Sequence, residues 1–139
     1  ITYLVHFLDP RGAVLESVYY RYLYFQENGR VLYALTPSPP HEMFRRFLRV
    51  CLTREPDKDA VWGTYQVSKN SVTMNARQPW QFVQLELTIQ PYTMNGRFGY
   101  LSFDRHYSSS SGKFEETSPD RVKYEVPEEP FLFIKHRRL

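Results

Sequence analysis

Apolar and polar positions alternate along most of this chain, and one stretch departs from the pattern. The alternation is cleanest over residues 80–90, WQFVQLELTIQ: Val83, Leu85, Leu87 and Ile89 point one way, and Gln84, Glu86, Thr88 and Gln90 the other. That is the period of a half-buried strand. Residues 18–25 form a run in which every residue but Arg21 is aromatic, β-branched or leucine, and residues 31–35 form a second such run. Asn28-Gly29 lies between them and tolerates positive φ, so the two runs read as a β-hairpin, with a two-residue or a four-residue loop. Period 2 sets Tyr20, Tyr22 and Tyr24 on one face, and Tyr19, Arg21, Leu23 and Phe25 on the other. Both faces are too apolar to lie on water. A strand of this kind packs on both sides or joins a barrel. In the two-residue form of the hairpin, Arg21 lies opposite Thr36, near one barrel end.

The departure covers residues 40–51. Thr36-Pro37-Ser38-Pro39-Pro40 ends the sheet, since proline cannot donate to a central ladder. Met43, Phe44, Phe47, Leu48 and Cys51 then share one face of a helix of about three turns, with Pro40 in its first turn. Such a short amphipathic helix is expected as a lid or plug packed on the sheet. Strands follow at residues 60–67, 71–76, 80–90, 97–107, 121–126 and 131–139, and residues 1–8 supply a first one. Gly63 marks a bulge or sharp bend, Asn95-Gly96 a turn, and the SSSSGK tip at 108–113 a mobile loop. Eight or nine short strands with one inserted helix predict a mostly β fold, an antiparallel barrel of lipocalin-like form, as a single domain over residues 1–139.

Composition sharpens this picture. A chain of 139 residues supports one core, and aromatics make up 17% of it, which suits an all-β protein. No apolar run reaches the roughly 20 residues of a membrane helix, so no membrane partner is expected. The single cysteine, Cys51, excludes an internal disulfide and favours a reducing compartment, cytoplasmic or nuclear. A net charge of +3 is too mild to argue for nucleic acid. The opening ITYLV without methionine reads as part of a longer chain.

Catalytic patterns fail on inspection. Gly112-Lys113-Phe114 lacks both the first glycine and the Ser/Thr of a phosphate loop. His41-Glu42 has no second histidine at helical spacing, and His6, His41, His106 and His136 are scattered, so no metal site is expected. Asp104, His106 and Ser108 are near in sequence, but alternation on one strand does not make a triad. No enzyme and no cofactor are expected. Three features compete with plainer readings. Arg45, Arg46 and Arg49 form a helix face that suits an acidic partner or a phosphate, or is merely solvated. Tyr22, Trp62, Tyr65 and Trp80 either fill the core or line a cavity. Arg21 either holds a ligand carboxylate or is structural, with its stem among rings and its head against a ring or a barrel end.

The stretch VYYRYLYFQENGRVLYALTP, residues 18–37, resembles the opening of the C-terminal domain of the F-box only protein nine family, including its fungal and plant relatives. VWGTYQVS (61–68), GRFGYLSFDRHYSSSSGK (96–113) and VPEEPFLFIKHRR (126–138) resemble later family segments, in the same order. The resemblance implies a β domain that binds substrates or partners within a Skp1–cullin–F-box ubiquitin ligase, placing the protein in ubiquitin conjugation. It implies Skp1 and cullin as partners if an F-box precedes Ile1; none is legible within residues 1–139. The readings set against it are a carrier of a small apolar ligand and a structural subunit of a larger assembly.

Overall fold

The computed structural model describes residues 3–8, 20–90, 100–127 and 130–135, and of residues 3–8, 100 and 132–135 the backbone alone. The described residues form β1 (Tyr3–Leu8), β2 (Tyr20–Phe25), β3 (Arg30–Thr36), α1 (Pro40–Thr53), β4 (Ala60–Ser68), β5 (Ser71–Gln78), β6 (Gln81–Gln90), β7 (Tyr100–Ser109), β8 (Val122–Tyr124) and β9 (Phe131–Lys135). Every pairing is antiparallel. The sheet runs β6-β5-β4-β3-β2-β1-β9-β7, and β6 pairs with β7 to close it. β8 and β9 share one place in the ring: Ser108 pairs with Val122, and farther along β7 Leu101 pairs with Phe131. The result is the expected antiparallel barrel with one helix after the first hairpin. The Asn95-Gly96 turn and residues 136–139 of the last expected strand lie outside the described residues.

The β2–β3 hairpin explains its own composition. Leu23, Val31 and Tyr33 face the barrel interior, in one cluster with Met74, Leu85, Leu87, Leu101 and Phe131. Tyr22, Tyr24, Leu32 and Ala34 face outward into a second cluster with Met43, Phe47 and Val50 of α1. The hairpin is therefore covered on both faces, by the barrel on one and by the helix on the other. Its loop follows neither two-residue nor four-residue geometry. Phe25 pairs with Val31, the Gln26 N–H donates to the Arg30 carbonyl, and Gly29 takes φ +84°. Three loop residues with a left-handed glycine shift the register by one. Arg21 thus pairs with Leu35, and Thr36 with Tyr20.

α1 is neither lid nor plug. It lies on the outer wall over β2, β3 and β4. Pro39 precedes it without a side-chain cap, and the left-handed Arg54 ends it with an N–H bond to the Val50 carbonyl. The buried stripe is Met43, Phe47 and Val50, while Phe44 and Cys51 pack at its edge. Each of the three is worth roughly 1.5–3 kcal/mol of burial. The stripe is rotated from the expected one because Phe47 must sit on the rings of Tyr22 and Tyr24, at 6.1 and 5.5 Å between centroids. No helix among the described residues is long and apolar enough to cross a membrane.

Val83, Leu85, Leu87 and Ile89 all join the interior cluster, as the alternation implied. Two local features shape the wall around them. At Glu86/Leu87 the β6–β7 register shifts, so that Asp104 is an extra residue on β7. Gly63 marks no bulge. It pairs in register with Val31 on one side and Ala76 on the other. A Cβ there would stand 2.3 Å from the Asn75 carbonyl oxygen and 2.9 Å from the Ala76 Cβ. Glycine lets β4 and β5 approach where the barrel wall bends. Gly63→Ala is accordingly expected to destabilise the domain by about 1–3 kcal/mol, read as a lower urea midpoint. An unchanged midpoint would show that the wall gives way at no cost.

Candidate functional site

The basic helix face expected from the sequence divides in two. Arg46 stands three residues after Met43 and four before Val50, so it flanks the buried stripe rather than facing water. Its Nε donates to Asp57 Oδ2 at 2.9 Å, its Nη2 to Asp57 Oδ1 at 2.5 Å and to Asp59 Oδ2 at 2.8 Å, and its Nη1 to the Ser38 hydroxyl at 2.8 Å. The planar fork thus joins α1 to the 54–59 loop and to the end of β3. The network continues outward. The Thr36 hydroxyl donates to Asp59, the Tyr22 hydroxyl to the Ser38 carbonyl, and the N–H groups of Asp59 and Ala60 to Asp57.

Burial pushes the Asp57 carboxyl up, but the hydrogen bonds from Arg46, Asp59 and Ala60 outweigh it and hold the group below its ordinary value. The Arg46 guanidinium is pushed up, most by its bond to Asp57. Arg45 and Arg49 are exposed. They stand with Lys58 on the rim of an open groove of about 500 Å³ between α1 and the 54–59 loop. Arg46 and Asp57 also line it, as do Glu42 and Glu55. None of Arg45, Arg49 and Lys58 has an ion-pair partner within the described residues. With Arg46 neutralised by Asp57, three cations face two carboxylates.

The four candidate aromatics do not come together. Tyr22 is buried beneath α1, outside the barrel. Trp62 shares that outer face, with the Arg30 guanidinium 3.9 Å from its ring centroid. Tyr65 alone faces inward. It packs edge-on against Phe25 at 4.9 Å and donates its hydroxyl to the Gln26 carbonyl. Trp80 is 71% exposed. Pro79-Trp80 is the two-residue turn between β5 and β6, where no sheet neighbour covers the ring. Trp80 therefore neither fills the core nor lines a cavity.

Arg21 is 3% exposed, on the inward side of β2, with its guanidinium 5.3 Å from the Phe103 ring centroid. A guanidinium at that distance over a ring face makes a cation–π contact. Asp104, His106 and Ser108 are separated by the bulge. Asp104 lies outside and accepts from Thr88 and Ser102. The His106 and Tyr124 rings pack tilted at 4.6 Å between centroids, and the Ser108 and Tyr124 hydroxyls share a hydrogen bond. Cys51 is half-buried and accepts from the Gln26 amide; burial pushes its thiol up.

The serine tip is tied down rather than loose. Asp120 accepts from the Ser109 and Ser110 hydroxyls and from the Ser111 N–H. Hydrogen bonds from Ser111 first, then from Ser110 and Ser109, hold its carboxyl well below the usual range.

Asp57, Asp59, Ser38, Thr36 and Lys58 were not legible as site residues. The faint signal for them is the spacing of the two aspartates just ahead of β4. Compared with known proteins, the chain matches no family model, no curated protein and no solved structure.

Removing the Arg46 fork leaves two part-buried carboxylates unpaired. Arg46→Ala is expected to cost roughly 2–4 kcal/mol in a denaturant melt. Because the Asp57 carboxyl is depressed in the fold, its contribution is present above the ordinary value of about 3.9 and is lost as pH falls through the folded value. Melts of the parent and Asp57→Asn should therefore differ at pH 7 and converge at low pH. A constant gap would remove Asp57 from the clamp.

Proposed function

We propose that this chain is a non-catalytic protein-interaction domain that docks an acidic segment of a partner protein in the groove beside α1. The observation that carries the reading is the pairing of a fixed floor with a free rim. The Arg46–Asp57 fork fixes α1 against the 54–59 loop, while Arg45, Arg49 and Lys58 around the groove have no ion-pair partner among the described residues. A preformed site loses little ordering entropy on binding, and exposed cations attract an acidic segment at long range. The ordered resemblance to the F-box only protein nine family supports the more specific reading. In it, the domain recruits substrates or partners for a Skp1–cullin ubiquitin ligase in the cytoplasm or nucleus, through an F-box elsewhere in the full-length chain.

The small-ligand alternative draws less support. Large side chains, among them Tyr33, Phe131, Met74, Leu85 and Leu101, occupy the interior along the described residues.

Two experiments test the reading separately. Affinity purification of the full-length protein is expected to bring down Skp1 and a cullin; a full-length chain without an F-box would end the ligase role. Arg45→Glu with Arg49→Glu should weaken partner capture at least roughly tenfold, about 1.4 kcal/mol, with the melt unchanged. Capture by the double variant at the parent's affinity would move docking away from α1.

A further inference from the structure

Three Ser/Thr-Pro dipeptides occur in the chain: Thr36-Pro37, Ser38-Pro39 and Ser118-Pro119. The fold treats them differently. Thr36 is 1% exposed and its hydroxyl donates to Asp59. The Ser38 hydroxyl accepts from Arg46 and its carbonyl from Tyr22. Both belong to the clamp that seats α1, and reaching either hydroxyl means dismantling it.

Ser118 is placed otherwise. It sits between β7 and β8, where two consecutive turns are closed by its own backbone: its N–H donates to the Glu115 carbonyl, and its carbonyl accepts from the Arg121 N–H. Glu115, Glu116, Thr117 and Pro119 around it are exposed. Its hydroxyl donates only to the Glu115 carboxylate, at 3.0 Å. Opening these two turns breaks two backbone bonds and disturbs Arg121 over the Tyr107 ring, but no residue from Lys113 to Arg121 belongs to either core cluster. Low-stability segments of this kind are the ones that modifying enzymes reach.

We propose that Ser118 is a phosphorylation site for a proline-directed protein kinase, and that the phosphate releases the loop between β7 and β8. In the step, the Ser118 oxygen bonds to the γ-phosphorus of ATP, the bond from that phosphorus to the bridging oxygen breaks, ADP leaves, and the hydroxyl proton passes to the kinase. The product carries about −1.5 to −2 charge on the oxygen that had donated to Glu115. Donation is lost and like charges meet at Glu115. Asp120 lies two residues on, and its carboxylate holds Ser109, Ser110 and Ser111. Arg121, whose guanidinium lies 4.5 Å from the Tyr107 ring centroid, is the nearest cation in sequence that can turn to the phosphate. The repulsion loosens the loop directly, and the turn of Arg121 withdraws its side chain from the Tyr107 ring and the Phe114 carbonyl.

The folded chain, incubated with a mitogen-activated-type kinase and ATP, should gain one phosphate, mapped by mass spectrometry to Ser118. Ser118→Ala should gain none, and Thr36 and Ser38 should stay unmodified. A synthetic peptide spanning residues 112–124 serves as the control. Phosphate on the peptide but not on the folded chain would overturn the site as presented by this fold, and phosphate on neither would overturn it as a substrate. Trypsin cleavage after Lys113 reads the loop. It should speed up by roughly fivefold or more on phosphorylation, the low end of ordinary coupling between sites. An unchanged rate in the phosphorylated chain would overturn the release.

Discussion

The architecture depends on a strand that must leave water on both faces. β2 carries Leu23 into the barrel, and Tyr22 and Tyr24 away from it, and all three are buried. A barrel wall covers only its inner face, so the outer rings need another layer. The chain supplies that layer at the first opportunity. Between β3 and β4, neighbours in the sheet, it makes α1 instead of a tight turn and lays Met43, Phe47 and Val50 on the tyrosines. The helix has no side-chain cap at its start. Its place is set by tertiary contacts, as is usual for helices of this length.

The phase of that helix decides what its arginines do. Arg45 and Arg46 are adjacent in sequence and about 100° apart around the axis. One points to water. The other reaches the Asp57 and Asp59 carboxylates and fastens the helix to the loop that leads into β4. Lysine in its place would keep the charge and lose the fork that engages Asp57 through two nitrogens at once. The exposed charge at the groove rim and the clamp beneath it are thus successive residues of a single helical turn.

Much of this was legible in the sequence, and the failures have physical causes. Strand alternation located the walls, and the change of period at Pro40 located the helix, because both reflect burial of one face. The hairpin register was off by one. A glycine at φ +84° can close a three-residue loop as well as a two-residue one, and residue identity does not separate them. An indole usually buries its surface, which places Trp80 in the interior, but the two-residue turn leaves it 71% exposed. Asp104, His106 and Ser108 fell on one face by simple alternation, and a single extra residue in β7 moved Asp104 to the other. Arg46 looked solvated because its acidic partners lie 11 and 13 residues away, beyond local reading. No residue in the family resemblance pointed to the groove.

The place shared by β8 and β9 has a consequence for how the chain finds its shape. The hairpins from β2 to β6 join strands that follow one another, with the helix as the longest interruption. The last seam joins β1 to β9, pairing Tyr3 with Lys135 across nearly the whole chain. Local pairings form quickly, and distant ones wait on the entropy of closing a long loop. The β1–β9 seam therefore closes the longest loop of any pairing in the ring and carries the largest entropy cost of closure. Without that seam, β1 and β9 would each present an open edge of the kind that pairs with other chains.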